Sequence, residues 1–169
     1  MNNEGLKEVM LRLEADINVR GWDQPSSIFV VEEVDNDPYV IKLGEFEDHP
    51  CDILDSLPPI TKKSAKGLVI ASEAWIVETS RELVENVNTV LDQLGIHGEL
   101  RDRVFEGAIY ELQGQPSMHP DRAEARFLHA MLIDGTMIML IRRRGNDPEF
   151  QDGEYGGRLY DSMKRVFHG

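Results

Sequence analysis

AEARFLHAMLIDGTMIMLIRR, residues 123–143, decides the fold. Two apolar runs flank Asp134-Gly135, a residue pair suited to a tight turn with positive φ. The segment therefore reads as a β-hairpin of residues 123–133 and 136–143. With a two-residue turn, Ile133 faces Thr136, Met131 faces Ile138 and His129 faces Leu140. On the other face Leu132 meets Met137, Ala130 meets Met139 and Leu128 meets Ile141. Both faces are apolar near the turn and polar toward Arg126 and Arg143, and an expected homodimer rests on that two-faced character. Each fully buried Leu or Ile contributes about 1.5–3 kcal/mol, so this element supplies a large part of the core.

Outward from the hairpin, Leu6, Val9, Met10, Leu13 and Ile17 recur at helical spacing, with Lys7, Glu8, Arg12, Glu14 and Asp16 on the other face. Gly21 suits the position past a helix end and Pro25 prevents continuation. Residues 27–34 are rich in β-branched side chains and read as a strand. Residues 35–65 are the least regular. Asp35-Asn36-Asp37-Pro38 is turn chemistry, 39–43 a short strand, 52–57 a single helical turn that Pro58-Pro59 stops. Residues 66–78 form a long strand, apolar on both faces except for Glu73. Ser80 and Gly95 bracket a helix carried by Leu83, Val84, Val87, Val90, Leu91 and Leu94. Leu100, Val104, Ala108, Ile109 and Leu112 mark a second helix over 99–112, and 114–120 is a loop. A C-terminal helix with Leu159, Met163, Val166 and Phe167 follows an acidic, glycine-rich loop at 145–157. Strands joined without helical crossovers predict an α+β fold: a single domain over 1–169, with an irregular insertion at about 35–65. The expected sheet is mainly antiparallel, of about four to five strands, with a central hairpin packed by N-terminal, middle and C-terminal helices.

Composition narrows the function. The 169 residues carry 18 Lys+Arg against 31 Asp+Glu, a net charge of −13. Such a surface repels phosphate, so nucleic acid and anionic membranes are not expected partners. One cysteine, Cys51, excludes an intramolecular disulfide and a CxxC motif, and its neighbours Asp48 and Asp52 oppose a reactive thiolate. The start Met1-Asn2-Asn3-Glu4 has no basic region leading into an apolar run, and no apolar stretch is long enough to span a bilayer. A cytoplasmic location is the expectation.

Two clusters bear on identity: Arg20-Gly21-Trp22-Asp23-Gln24-Pro25 before the first strand, and His119-Pro120-Asp121-Arg122-Ala123-Glu124-Ala125-Arg126 leading into the hairpin that turns at Asp134-Gly135. Together they resemble an uncharacterised family of small actinobacterial or actinobacteriophage proteins, with a GWDQP-like start and an HPDRxExR segment followed by DG. The resemblance covers most of the chain, departs from it around 35–65, and implies no catalytic role for any residue.

Read physically, Trp22 buries its ring where the first helix turns into the first strand, and Asp23 and Gln24 bond turn amides. Pro120 fixes the second loop, Asp121 caps it, and Arg122 and Arg126 pair with acidic neighbours. The sharper reading gathers Trp22, Asp23, Glu73, His119, Asp121, Arg122 and Arg126 into one polar ligand or partner site. Glu73, inside an apolar strand, needs a cation, and Arg126 or Arg122 is the candidate. His129, mid-strand, reads as a satisfied, half-buried histidine. GxSxG and SxxK are absent, and GEYGG at 153–157 lacks a lysine and a preceding strand. The five histidines show no HxH or HExxH spacing, so no metal, cofactor or catalytic residue is assigned. Arg142-Arg143-Arg144 forms a basic patch, either for an anionic partner or as the solvated end of a strand.

These readings favour a non-enzymatic intracellular interaction domain that binds another protein. One alternative is a small ligand-binding or hydrolytic enzyme with a polar site near Trp22, Glu73, His119 and Arg122. The second is an acidic mimic of nucleic acid that inhibits a DNA-binding protein, which needs carboxylates spaced like phosphates along one face.

Overall fold

Asn2 opens helix α1 (Asn3–Val19) by accepting the Gly5 amide at 2.9 Å. The helix stops at Gly21, whose φ of +91° suits a residue without Cβ. The structure, a computed structural model, describes residues 1–151 and 157–168, so 152–156 of the acidic loop, with Asp152, Glu154 and most of GEYGG, lie outside the described residues. Strands β1 (Ser26–Val34), β2 (Asp37–Phe46), β3 (Ala65–Ile76), β4 (Ala123–Leu132), β5 (Met137–Arg143) and β6 (Glu149–Gln151) form an antiparallel sheet in the order β2-β1-β3-β4-β5-β6. The other helices are α2 (Pro50–Ser56), α3 (Arg81–Gln93), α4 (Gly98–Gln113) and α5 (Arg158–His168), with a 3₁₀ turn at Pro116–Met118. The α+β class holds, and the sheet has six strands where four to five were expected.

Two local readings change. The β4–β5 turn has three residues, Ile133-Asp134-Gly135, not two: Leu132 N–H bonds Thr136 O at 2.8 Å, and Gly135, at φ +90°, bonds Leu132 O at 2.9 Å. Asp134 accepts the Thr136 amide at 2.9 Å, and the Ile133 amide leaves the hairpin for Lys66 O at 3.0 Å. The register therefore slips by one: Leu128 faces Leu140, Ala130 faces Ile138 and Met131 faces Met137. Because side chains alternate, the slip changes which residues share a face. The turn with positive φ at two successive residues lies elsewhere, at Asp35 (+53°) and Asn36 (+66°), joining β1 to a β2 twice as long as the strand expected over 39–43. β6 was not foreseen; three residues are too few for a pattern.

The chain divides into two compact units, residues 1–74 with 125–169, and residues 75–124. In the first, α1 sets Leu6, Met10, Leu13 and Ile17 on one sheet face, against Phe29, Val31, Val69, Leu128, Ala130, Ile138 and Leu140. On the opposite face Leu54 of α2 and Met163 and Val166 of α5 meet Ile28, Val30, Leu68, Ile70 and Met131. Both faces of the hairpin are thus used inside the chain, so the feature from which a homodimer was expected is consumed by the core. Glu32 is buried as well, held by Lys62 at 2.7 Å, Tyr39 at 2.8 Å and Ser64 at 3.0 Å. The Lys62 ammonium, above all, keeps its carboxyl below the usual range.

The second unit is an antiparallel helix pair. Ser80 caps α3 through the Leu83 amide at 3.2 Å. Arg101 clamps the turn from α4, reaching Asp92 at 2.7 Å, Asn88 Oδ1 at 3.0 Å and Ile96 O at 3.1 Å. At the far end Thr79 bonds Gln113 at 3.0 Å. Among the described residues no helix is long and apolar enough to cross a membrane.

Candidate functional site

Strand parity places Glu73, Arg126 and Arg142 on the sheet face that carries α1, where Glu14 of the helix meets them. Glu73 follows Val69 and Ala71 on β3, Arg126 precedes Leu128 on β4, Arg142 follows Ile138 and Leu140 on β5, and Glu14 comes down from the helix. Arg126, 1% exposed, uses its whole fork. Nε and Nη2 donate to Glu73 Oε1 at 2.9 and 2.7 Å, Nη1 to Glu14 Oε1 at 3.2 Å and Asn18 Oδ1 at 3.5 Å, and Nη2 also to Gly21 O at 2.5 Å. Glu14 holds a second arginine, Arg142, at 2.6 and 2.7 Å, and Arg142 also reaches Asn146 O at 2.9 Å. That carboxylate raises the Arg142 pKa above its ordinary value. Glu73 Oε2 accepts the Gln24 amide at 3.2 Å. The Trp22 ring takes Arg126 on one contact at 4.7 Å and Arg144 on another at 5.7 Å. Arginine is required here, because a lysine has no planar fork to serve two carboxylates, a carbonyl and a ring.

Of the residues singled out in the sequence, Trp22, Glu73 and Arg126 meet in this cluster, and the pairing of Glu73 with Arg126 is as expected. Asp23 differs: it is exposed and holds a left-handed backbone (φ +62°) that Asp tolerates, rather than bonding turn amides. His119, Asp121 and Arg122 belong to the second unit. There His119 Nδ1 accepts the Asp121 amide at 3.1 Å, so the histidine, not the aspartate, closes the turn. Arg122 donates to His119 O at 3.3 Å and lies 5.0 Å over the Trp75 ring, in place of the expected acidic partner.

The basic patch disperses. Arg142 goes inward to Glu14, Arg143 bonds Glu149, and Arg144 lies over Trp22. Sequence reasoning missed Glu14 and Arg142. The signal was present: Glu14 stands four residues after Met10 and three before Ile17, inside the apolar stripe, and Arg142 shares parity with Ile138 and Leu140. His129 is half-buried as expected but is not satisfied. It stacks on Phe127 at 5.9 Å, but its Nδ1 is buried without a hydrogen-bond partner, and burial pushes its pKa down to about 4.

The cluster borders a recess lined by Arg20, Gln24, Phe29, Glu45, Glu73 and Arg126, with room for about 20 Å³. That admits roughly one water, against the roughly 300–1,000 Å³ of a small-molecule site. Its charges bond one another, so the cluster ties the end of α1 to three strands. Among the described residues no three His, Cys, Asp or Glu side chains gather as a metal site.

The second unit presents a different surface. The apolar stripe of α4 is not buried anywhere along its length: Leu100 is 59% and Leu112 66% exposed, with Val104, Phe105, Ala108 and Ile109 half-buried. On α3 only Val87 and Leu91 are buried, while Val90 and Leu94, placed in the core by periodicity, are 51% and 66% exposed. Trp75, Tyr110 and Met118 add to the exposed apolar set. No family model matches the chain, and no curated protein or solved structure matches it.

Proposed function

We propose that the chain is a non-enzymatic interaction domain whose first unit is scaffold and whose α3–α4 pair docks another protein. The observation that carries this reading is the exposure of Leu100 and Leu112 at the two ends of the apolar stripe of α4, together with Val90 and Leu94 of α3. Helical periodicity of this quality is ordinarily selected by burial, and large exposed apolar patches on soluble proteins mark interaction sites. The enzyme reading has less support, because the polar cluster around Arg126 is internally satisfied and borders space for about one water. The test is affinity capture from the native host with the wild-type chain and with Leu94→Glu/Leu112→Glu. Both positions are exposed, so folding stability changes by only about 0.5 kcal/mol or less each. Loss of the captured partner at an unchanged melting temperature supports the reading; equal recovery by both chains refutes it.

A further inference from the structure

We infer that the partner segment docked by α3–α4 is a basic amphipathic helix, an inference that rests on the docking reading above. The charge of the chain is unevenly placed. Residues 75–124 hold ten Asp+Glu and four Arg, a net −6 in 50 residues, whereas the other 119 residues carry −7. The four arginines are also engaged: Arg81 with Glu85, Arg101 with Asp92, Arg103 with Glu99, and Arg122 over Trp75. Among the described residues, the exposed carboxylates of Glu82, Asp102, Glu106 and Glu111 have no cation of their own.

Those carboxylates flank the apolar residues. On α4, Asp102 and Glu106 are four apart and lie in the sequence between Leu100 and Leu112, with Glu111 next to Leu112; Glu82 stands in the first turn of α3, at the end of the pair where Thr79 bonds Gln113 beside Leu112. An occupant must therefore offer apolar side chains at helical spacing and cations along the edges of that stripe. A basic amphipathic helix has both properties, and ridges of one helix seat between those of two others. A second copy of this chain would bring −6 against −6 and is disfavoured on the same surface. Nucleic acid and anionic lipid offer the wrong sign.

The test uses the full chain and three labelled synthetic peptides of equal length: a Leu/Lys amphipathic helix, its Leu/Glu counterpart, and a Leu/Lys scramble without a face. Binding is read by fluorescence anisotropy at low and high salt. The Leu/Lys helix is expected to bind at least ten times tighter than either control. Its affinity should fall several-fold as the Debye length shortens from about 10 Å at 0.1 M to about 3 Å at 1 M salt. Asp102→Lys/Glu106→Lys/Glu111→Lys should weaken it tenfold or more, and Leu94→Glu/Leu112→Glu should abolish it, with melting temperatures unchanged. Tighter binding of the Leu/Glu helix, equal binding of the scramble, indifference to the lysine variant, or no binding of any peptide overturns the basic-helix inference. The docking reading falls separately, when host-partner capture survives Leu94→Glu/Leu112→Glu.

Discussion

Arg126→Met removes the one side chain that links Glu73, Glu14, Asn18, the Gly21 carbonyl and the Trp22 ring. Methionine fills much of the space, so the loss is electrostatic rather than a cavity. Glu14 keeps Arg142 at 2.6 Å, but Glu73, whose side chain is 11% exposed, retains only the Gln24 amide. Removing one partner of a buried ion pair costs about 3–5 kcal/mol, because the remaining charge stays desolvated. A chain of this length loses about 2–4 °C per kcal/mol, so the melting temperature should fall by about 10 °C. Glu73→Gln alone leaves Arg126 with Glu14 and should cost less. The double variant should recover part of the loss, since no orphan carboxylate remains. Urea denaturation at pH 7 of the four chains gives the coupling energy directly, expected at about 2 kcal/mol. Additivity within about 0.5 kcal/mol, or a loss below about 1 kcal/mol for Arg126→Met, would show that water reaches the cluster and that it does not anchor α1.

Three further outcomes follow from single residues. His129 titrates at about 4 in the folded chain against 6.5 in a free histidine, so the unfolded chain binds the proton first. Its contribution is complete above pH 6.5 and is lost as pH falls to 4, by about 3 kcal/mol, and His129→Phe should remove that slope from urea midpoints measured between pH 7 and 4. A Cβ on Gly67 would stand 3.0 Å from Met131 O, so Gly67→Ala should part β3 from β4 and cost about 1–3 kcal/mol by thermal melting. Asn36→Val, at φ +66°, should cost about 1–2 kcal/mol, whereas Asn36→Gly should not lower the melting temperature.

The parts legible in the sequence are those with a sustained pattern: α1, α3, α4 and α5 repeat apolar residues at helical spacing, and β1 and β3 are runs of β-branched and apolar residues. The hairpin was legible as a hairpin but not in register. Asp134-Gly135 suits a two-residue turn and equally the last two places of a three-residue turn ending in a left-handed glycine, and the choice is made by Ile133 bonding Lys66 across β3. β2 reads poorly because Lys42, Gly44 and Glu45 interrupt its alternation. It is an edge strand with a bulge opposite Ile28 and Phe29, where alternation is least required. Of the polar cluster, Glu73 announced itself by sitting in an apolar run. Glu14 and Arg142 did not, because among neighbouring charged residues each looked like part of a solvated face, and only parity with the core separates them.

The net charge acquires its meaning from where cations are spent. In the first unit, four arginines bind across elements: Arg126 and Arg142 fasten α1 to the sheet, and Arg158 and Arg165 fasten α5 to Asp52 and Asp55 of α2. These contacts position helices, and of Arg142-Arg143-Arg144 they take Arg142, while Arg143 bonds Glu149 and Arg144 lies over Trp22. In the second unit Arg101 joins α4 to α3, Arg81 and Arg103 pair within their own helices, and the four carboxylates of α4 outnumber its two arginines on a surface that also leaves Leu100 and Leu112 exposed. Solubility alone would not place large apolar side chains between unpaired acids, since exposed leucines gain nothing from water. A partner that covers both would account for that pairing, on a unit that carries −6 of the −13 net charge in 50 of the 169 residues.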